Sequence, residues 1–139
     1  MKKTQPALIL YAEDNLMQIQ LFLSVMEEII PDFQVKFFRH GKALLEGFDN
    51  LVNDRHILPH LILLDVEMPV LNGISTLAQL RKEKRFQEIP ILMFSSYKDE
   101  AITKQALALG ANGFIEKPFD LDELESILRE LDQKWCKLS

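Results

Sequence analysis

Leu61-Ile62-Leu63-Leu64-Asp65-Val66-Glu67-Met68-Pro69 is the stretch on which the reading of this chain turns. Four apolar residues in a row end at an acid, and a proline follows four positions later. A run this short and this apolar is what a strand covered on both faces of a parallel sheet requires. Residues 7–12 and Ile91–Phe94 have the same character. Gln34–Phe38 alternates instead, with Val35 and Phe37 set against Gln34 and Lys36, and Gly113-Phe114-Ile115 is very short. The mixed run and the short run suit the two edges of a sheet, where one side meets solvent.

Helical periods fill the spaces between these runs. Leu16, Ile19, Leu23, Met26 and Ile30 predict the buried face of a first helix, with Asn15 as its N-cap and Gln18 three residues on. Leu44, Phe48, Leu51 and Val52 mark a second helix, and Ile74, Leu77 and Leu80 a third. Ile102, Ala106 and Leu109 mark a fourth, stopped by Gly110 where a left-handed residue is needed. Leu121, Leu124, Ile127, Leu128 and Leu131 mark a fifth, opened by Asp120 and Glu123. The polar stretch Asn50–Pro59 reads as a loop. Five β-α repeats predict the α/β class, a doubly wound five-stranded parallel sheet in the order 2-1-3-4-5.

The chain has 139 residues, 47% apolar and 27% charged, which suits one globular domain over 1–139 with a core of about 7–131 and a tail of 132–139. Its net charge is −5 and it has no Lys/Arg-rich block, which argues against direct nucleic-acid binding. No apolar run is long enough to span a bilayer. Lys2 and Lys3 precede only a short apolar run and then acids, unlike a signal peptide. The single Cys136 has no internal disulfide partner, in keeping with a reducing cytoplasm. A cytoplasmic location is therefore expected.

In such a sheet, ligands sit beyond the carboxyl ends of the strands. Glu13 and Asp14 follow the first run, Asp65 the third, Ser95 and Ser96 the fourth, and Lys117-Pro118-Phe119 the fifth. Three carboxylates brought together must hold protons or bind a cation. An all-oxygen set suits Mg²⁺ or Mn²⁺ and not Zn²⁺. With the Lys117 ammonium and the Ser95 hydroxyl beside them, these groups could hold a phosphoryl group on the Asp65 carboxylate, acting as nucleophile. Any one of these residues alone has a plainer reading, such as a turn-forming Asp or a solvated Lys. Their placement at successive strand ends is what favours chemistry.

Glu13-Asp14-Asn15, Asp65-x-x-Met68-Pro69-x-x-Asn72-Gly73, Phe94-Ser95-Ser96 and Lys117-Pro118-Phe119 resemble the receiver domain of two-component response regulators, over roughly Ala7 to Leu131. The resemblance implies a flavodoxin-like fold and a stand-alone, single-domain regulator. It implies phosphorylation of Asp65 by a sensor histidine kinase or a histidine phosphotransfer protein. It implies Mg²⁺ held by Asp14, Asp65 and the Glu67 backbone carbonyl, with Glu13 acting through water. Lys117 and Ser95 would contact the phosphoryl group, and Ser95 and Phe114 would be the switch residues. Pro69, Gly73 and Pro118 would shape the loops, with a cis Lys117–Pro118 peptide. The downstream partner would be a protein, and a homodimer lies within the family's range. Such a chain is a phosphoacceptor and not an enzyme in the ordinary sense; the alternative is a degenerate receiver serving as a phosphorylation-independent scaffold. A phosphatase with Glu67 as general acid is a further rival, but Met68-Pro69 follows and nothing resembles a substrate cap.

Several residues depart from the commoner family pattern. Glu13 replaces Asp, Ser95 replaces Thr, and Phe114 lacks a phenolic hydroxyl. Ser96 stands where Ala is common, and His60 replaces an Asp before the third run. Glu67 and Tyr97 occupy positions that influence how long the phosphoryl group survives.

Overall fold

The computed structural model describes residues 8–55, 58–96 and 99–136, and the side chains of 51–55 and 136 fall outside that description. His56, Tyr97 and the side chains of Leu51, Val52 and Cys136 therefore lie outside the described residues. The chain runs β1 (Leu8–Ala12), α1 (Leu16–Ile29), β2 (Gln34–Phe38), α2 (Gly41–Arg55), β3 (Leu61–Leu64), α3 (Gly73–Lys82), β4 (Ile91–Ser95), α4 (Glu100–Ala108), β5 (Gly113–Glu116) and α5 (Leu121–Leu131). A 3₁₀ turn at Lys84–Phe86 precedes β4, and a π-helical turn at Asp132–Cys136 prolongs α5. The sheet is parallel, in the order β2-β1-β3-β4-β5.

Burial follows the sheet order. Every residue of β1, β3 and β4 is buried, whereas β2 and β5 are partly exposed, as the edge reading required. Leu10, Ile62, Leu64 and Met93 pack with Leu44, Phe48, Leu77, Leu80 and Ala106, so α2, α3 and α4 cover one face. Ile9, Tyr11, Leu63 and Phe94 pack with Phe22, Met26, Leu124 and Leu128, so α1 and α5 cover the other. Trp135 packs onto this second layer. Among the described residues, no helix is long and apolar enough to cross a membrane.

The local signals for helix ends hold. Asn15, Asn72 and Asp120 each accept a backbone N–H three residues on, and Gly110 adopts φ 109°. Three expectations do not. The buried residues of α1 are Phe22, Val25 and Met26, while Leu16 and Leu23 are exposed. Apolar residues occupy two overlapping stripes of this helix, and the aromatic contact of Phe22 with Tyr11, at 4.8 Å between centroids, goes with the inward stripe. The helix α2 runs on to Arg55, so Asn50–Arg55 is not loop. No Pro or Gly lies between Gly47 and Pro59 to interrupt it. Finally, the described residues contain no cis peptide bond, so Lys117–Pro118 is trans. Trans is the lower-energy form of an X–Pro bond by about 0.5–1 kcal/mol, and Lys117 reaches the acids from it.

Candidate functional site

The carboxyl ends of β1, β3, β4 and β5 place the predicted groups on one rim. Backbone pairing fixes the register there: the Asp65 N–H donates to the Ala12 carbonyl at 3.1 Å, and the Lys117 N–H to the Ser95 carbonyl at 2.7 Å. A cleft of about 900 Å³ opens at this rim, and Glu13, Asp14, Asp65, Glu67, Ser96 and Lys117 are among its lining residues. Ser95 is buried at the end of β4 and is not among those lining residues. Phe114 is half-buried and packs against the α2–α4 face of the core.

Glu13, Asp14 and Asp65 each offer a carboxylate oxygen within 4.8 Å of the others. Glu13 is 1% exposed, so its charge must be met by donors. Its Oε1 accepts the Asn15 N–H at 3.1 Å. Its Oε2 accepts from the Lys117 ammonium and from the Tyr11 hydroxyl, the latter at 3.3 Å. Lys117 also donates to Asp65 Oδ2 at 3.2 Å, while Asp65 Oδ1 accepts the Glu67 N–H at 3.3 Å. The ammonium thus bridges two buried acids, and Asp14 stands exposed beside them. The resemblance gives Lys117 a contact with the phosphoryl group; its bonds to Glu13 and Asp65 are relations that the sequence does not announce.

Loop geometry holds Asp65 in place. Gly73 opens α3 where its N–H donates to the Val66 carbonyl at 3.0 Å. A Cβ at Gly73 would lie 2.1 Å from the Asp65 carbonyl oxygen, so only glycine fits. Just before, Val70 adopts φ 66°, a left-handed conformation that strains a β-branched residue. His40 and His60 accept backbone N–H groups through Nδ1, from Ala43 and Leu8 respectively, and take no part in the site.

Burial raises the Asp65 carboxyl to about 6; Lys117 opposes this, and the charge of Glu13 adds to it. The folded chain therefore binds this proton more tightly than the unfolded chain. Stability from Asp65 is present below about pH 4 and is lost as pH rises through about 6. In metal-free buffer at pH 7.5, Asp65→Asn is expected to stabilise the protein by about 1 kcal/mol, because solvent at this partly open rim screens much of the charge. Melting curves in EDTA should show the gain shrinking to nothing by pH 4. A gain that grows toward low pH would contradict the sign. Burial, followed by the charges of Glu13 and Asp65, pushes the Tyr11 phenol well above its usual range, so it stays a neutral donor.

The profile of the family described as the response regulator receiver domain matches residues 9–129. The chain belongs to that family. This receiver domain is 38% identical over 113 residues to the response regulator Rre1 of Synechocystis sp., covering 81% of this chain and 45% of Rre1. The chain thus spans less than half the length of that relative. Its fold is similar to the crystal structure of the phosphorylated cyanobacterial phytochrome response regulator RcpA, with a TM-score of 0.82, 24% identity and 96% of each chain covered. It is similar too to the Mn²⁺-bound form of response regulator Rcp1, with a TM-score of 0.82, 22% identity, and 96% and 97% of the two chains covered. At those identities the likeness is one of fold. The receiver domain is thus a part in two-component signalling, and its five-stranded order is the flavodoxin-like one.

The hydroxyl of Tyr11, bonded to Glu13, also has no counterpart in the sequence reading. Its signal was present: a hydroxyl in an otherwise apolar strand, two residues before Glu13 and so on the same side of the sheet.

Proposed function

We propose that this receiver domain is a single-domain phosphoacceptor of the cytoplasm, taking a phosphoryl group on Asp65 from a phosphohistidine of a sensor kinase or phosphotransfer protein. The observation that carries the reading is the Lys117 ammonium shared by two buried acids at the mouth of an open cleft. An Asp65 carboxylate oxygen attacks phosphorus, the P–N bond to the donor imidazole breaks, and the bond electrons leave with the imidazole, which takes a proton from solvent. Asp14, Asp65 and the Glu67 carbonyl, with Glu13 acting through water, would hold Mg²⁺ or Mn²⁺. The oxygen-only clustering of Glu13, Asp14 and Asp65 fits such a hard cation. When bound, the cation would supply positive charge for the phosphoryl oxygens.

The residues divide the remaining work. Lys117 orients Asp65 before transfer and donates to a phosphoryl oxygen after it. Ser95, buried at the end of β4, donates its hydroxyl to another phosphoryl oxygen, and its movement toward the phosphoryl group pairs with that of Phe114. Gly73 and Pro69 shape the loop that carries Glu67, and Pro118 shapes the one that carries Lys117. Charge gained at Asp65 then biases the surface around α4 and β5 toward a conformation that binds a downstream protein.

The test is incubation with Mg²⁺ and a small acyl phosphate, followed by intact mass. Wild type should gain one phosphoryl group and Asp65→Asn none. Equal uptake by both would overturn the assignment to Asp65, and none by wild type would replace this reading with a phosphorylation-independent scaffold.

A further inference from the structure

The Glu13 carboxylate is nearly sealed from water, yet Lys117, its one cationic partner among the described residues, is also bonded to Asp65. A phosphoryl group arriving on Asp65 competes for that ammonium. Glu13 would then keep two neutral donors, the Asn15 N–H and the Tyr11 hydroxyl. The Tyr11 ring is fixed for this role by three aromatic neighbours, Phe22, Phe37 and Phe94, at centroid distances of 4.8, 5.7 and 5.9 Å. A hydroxyl is otherwise out of place in β1, whose other residues are apolar and buried.

We propose that Tyr11 is a positioning residue for Glu13, its hydroxyl keeping the buried carboxylate beside Asp14 and Asp65 when the Lys117 ammonium turns to a phosphoryl group. The inference rests on the phosphoacceptor reading above. It assigns Tyr11 no contact with the phosphoryl group or the cation; the residue acts through Glu13. The hydrogen bond matters most for the buried oxygen that Lys117 and Tyr11 share, since an acid with one donor fewer is freer to turn away.

Mn²⁺ alone is the probe, with free ion counted by electron paramagnetic resonance. Tyr11→Phe is expected to raise the Mn²⁺ dissociation constant about tenfold, the scale of an outer partner's loss. It should have no effect where Glu13→Gln has already altered the partner, and a larger effect where Lys117→Met has removed the competing donor. A phenylalanine still packs among Phe22, Phe37 and Phe94, and melting in EDTA checks that the fold is kept. A purely structural role would lower stability equally in every background and leave affinity per folded molecule unchanged. Unchanged affinity in Tyr11→Phe, an equal loss in the Glu13→Gln background, or no larger loss with Lys117→Met overturns the inference alone. A wild type that binds no Mn²⁺ overturns the metal reading and this inference with it.

Discussion

Lys117→Met should destabilise the metal-free protein by about 3 kcal/mol at pH 7.5, because it leaves buried charge without a counter-charge. The side chains concerned are 9% exposed for Lys117, 1% for Glu13 and 9% for Asp65. Exposed ion pairs contribute little, but removing one member of a buried set strands the others. Here one cation serves two carboxylates, so both are stranded at once. The methionine stem keeps most of the packing, so the loss reports charge and not volume. Asp65, already raised to about 6 by burial and now without the ammonium that opposes that rise, answers by holding its proton. The deficit should therefore shrink as the pH is lowered through about 6. Added Mn²⁺ should recover part of it at pH 7.5 by replacing the missing positive charge. Urea midpoints at the two pH values, with and without the ion, measure all three effects. A pH-independent loss would show that Lys117 contributes packing alone.

Gly73→Ala carries the second large effect. In an open helix this exchange would gain about 1 kcal/mol. At Gly73 the added Cβ would meet the Asp65 carbonyl oxygen at 2.1 Å, its carbon at 2.9 Å and Met93 Cε at 3.0 Å. Two of the three contacts are backbone and cannot swing aside, so the loop or β3 must move. A net loss of about 3 kcal/mol is expected, the steric cost outweighing the helical gain. The displaced atoms belong to Asp65 itself, so phosphoryl uptake should fall by more than tenfold in the molecules that remain folded. Uptake at the wild-type rate with only lower stability would separate the turn from the site.

Much of this was legible because the sequence states it twice. The apolar runs of β1, β3 and β4 specify burial on both faces, and the acids, hydroxyls and lysine each follow a run directly. Sheet order then needed only the two weaker runs at the edges. What escaped depended on relations between elements. The inward stripe of α1 is settled by aromatic rings on β1 and β4, distant in sequence from Leu16 and Leu23. The extension of α2 to Arg55 was hidden by polar residues that form helix readily when nothing breaks it. The Glu13–Lys117 contact joins residues 104 positions apart, and no local pattern reports it. The trans Lys117–Pro118 bond contradicts an expectation taken from resemblance and not from the residues themselves.

The parallel sheet has a practical corollary. Every strand begins at the rim opposite Asp65, and α5, running back from β5, brings Trp135 beside Leu92 and Gly113 at that far rim. Both Leu8 and Trp135 therefore lie on the side away from the acids, about 17 Å off for five residues of strand. Tethering the molecule to a bead or biosensor through a group placed at that far rim would leave its reactive mouth turned to the bulk solution.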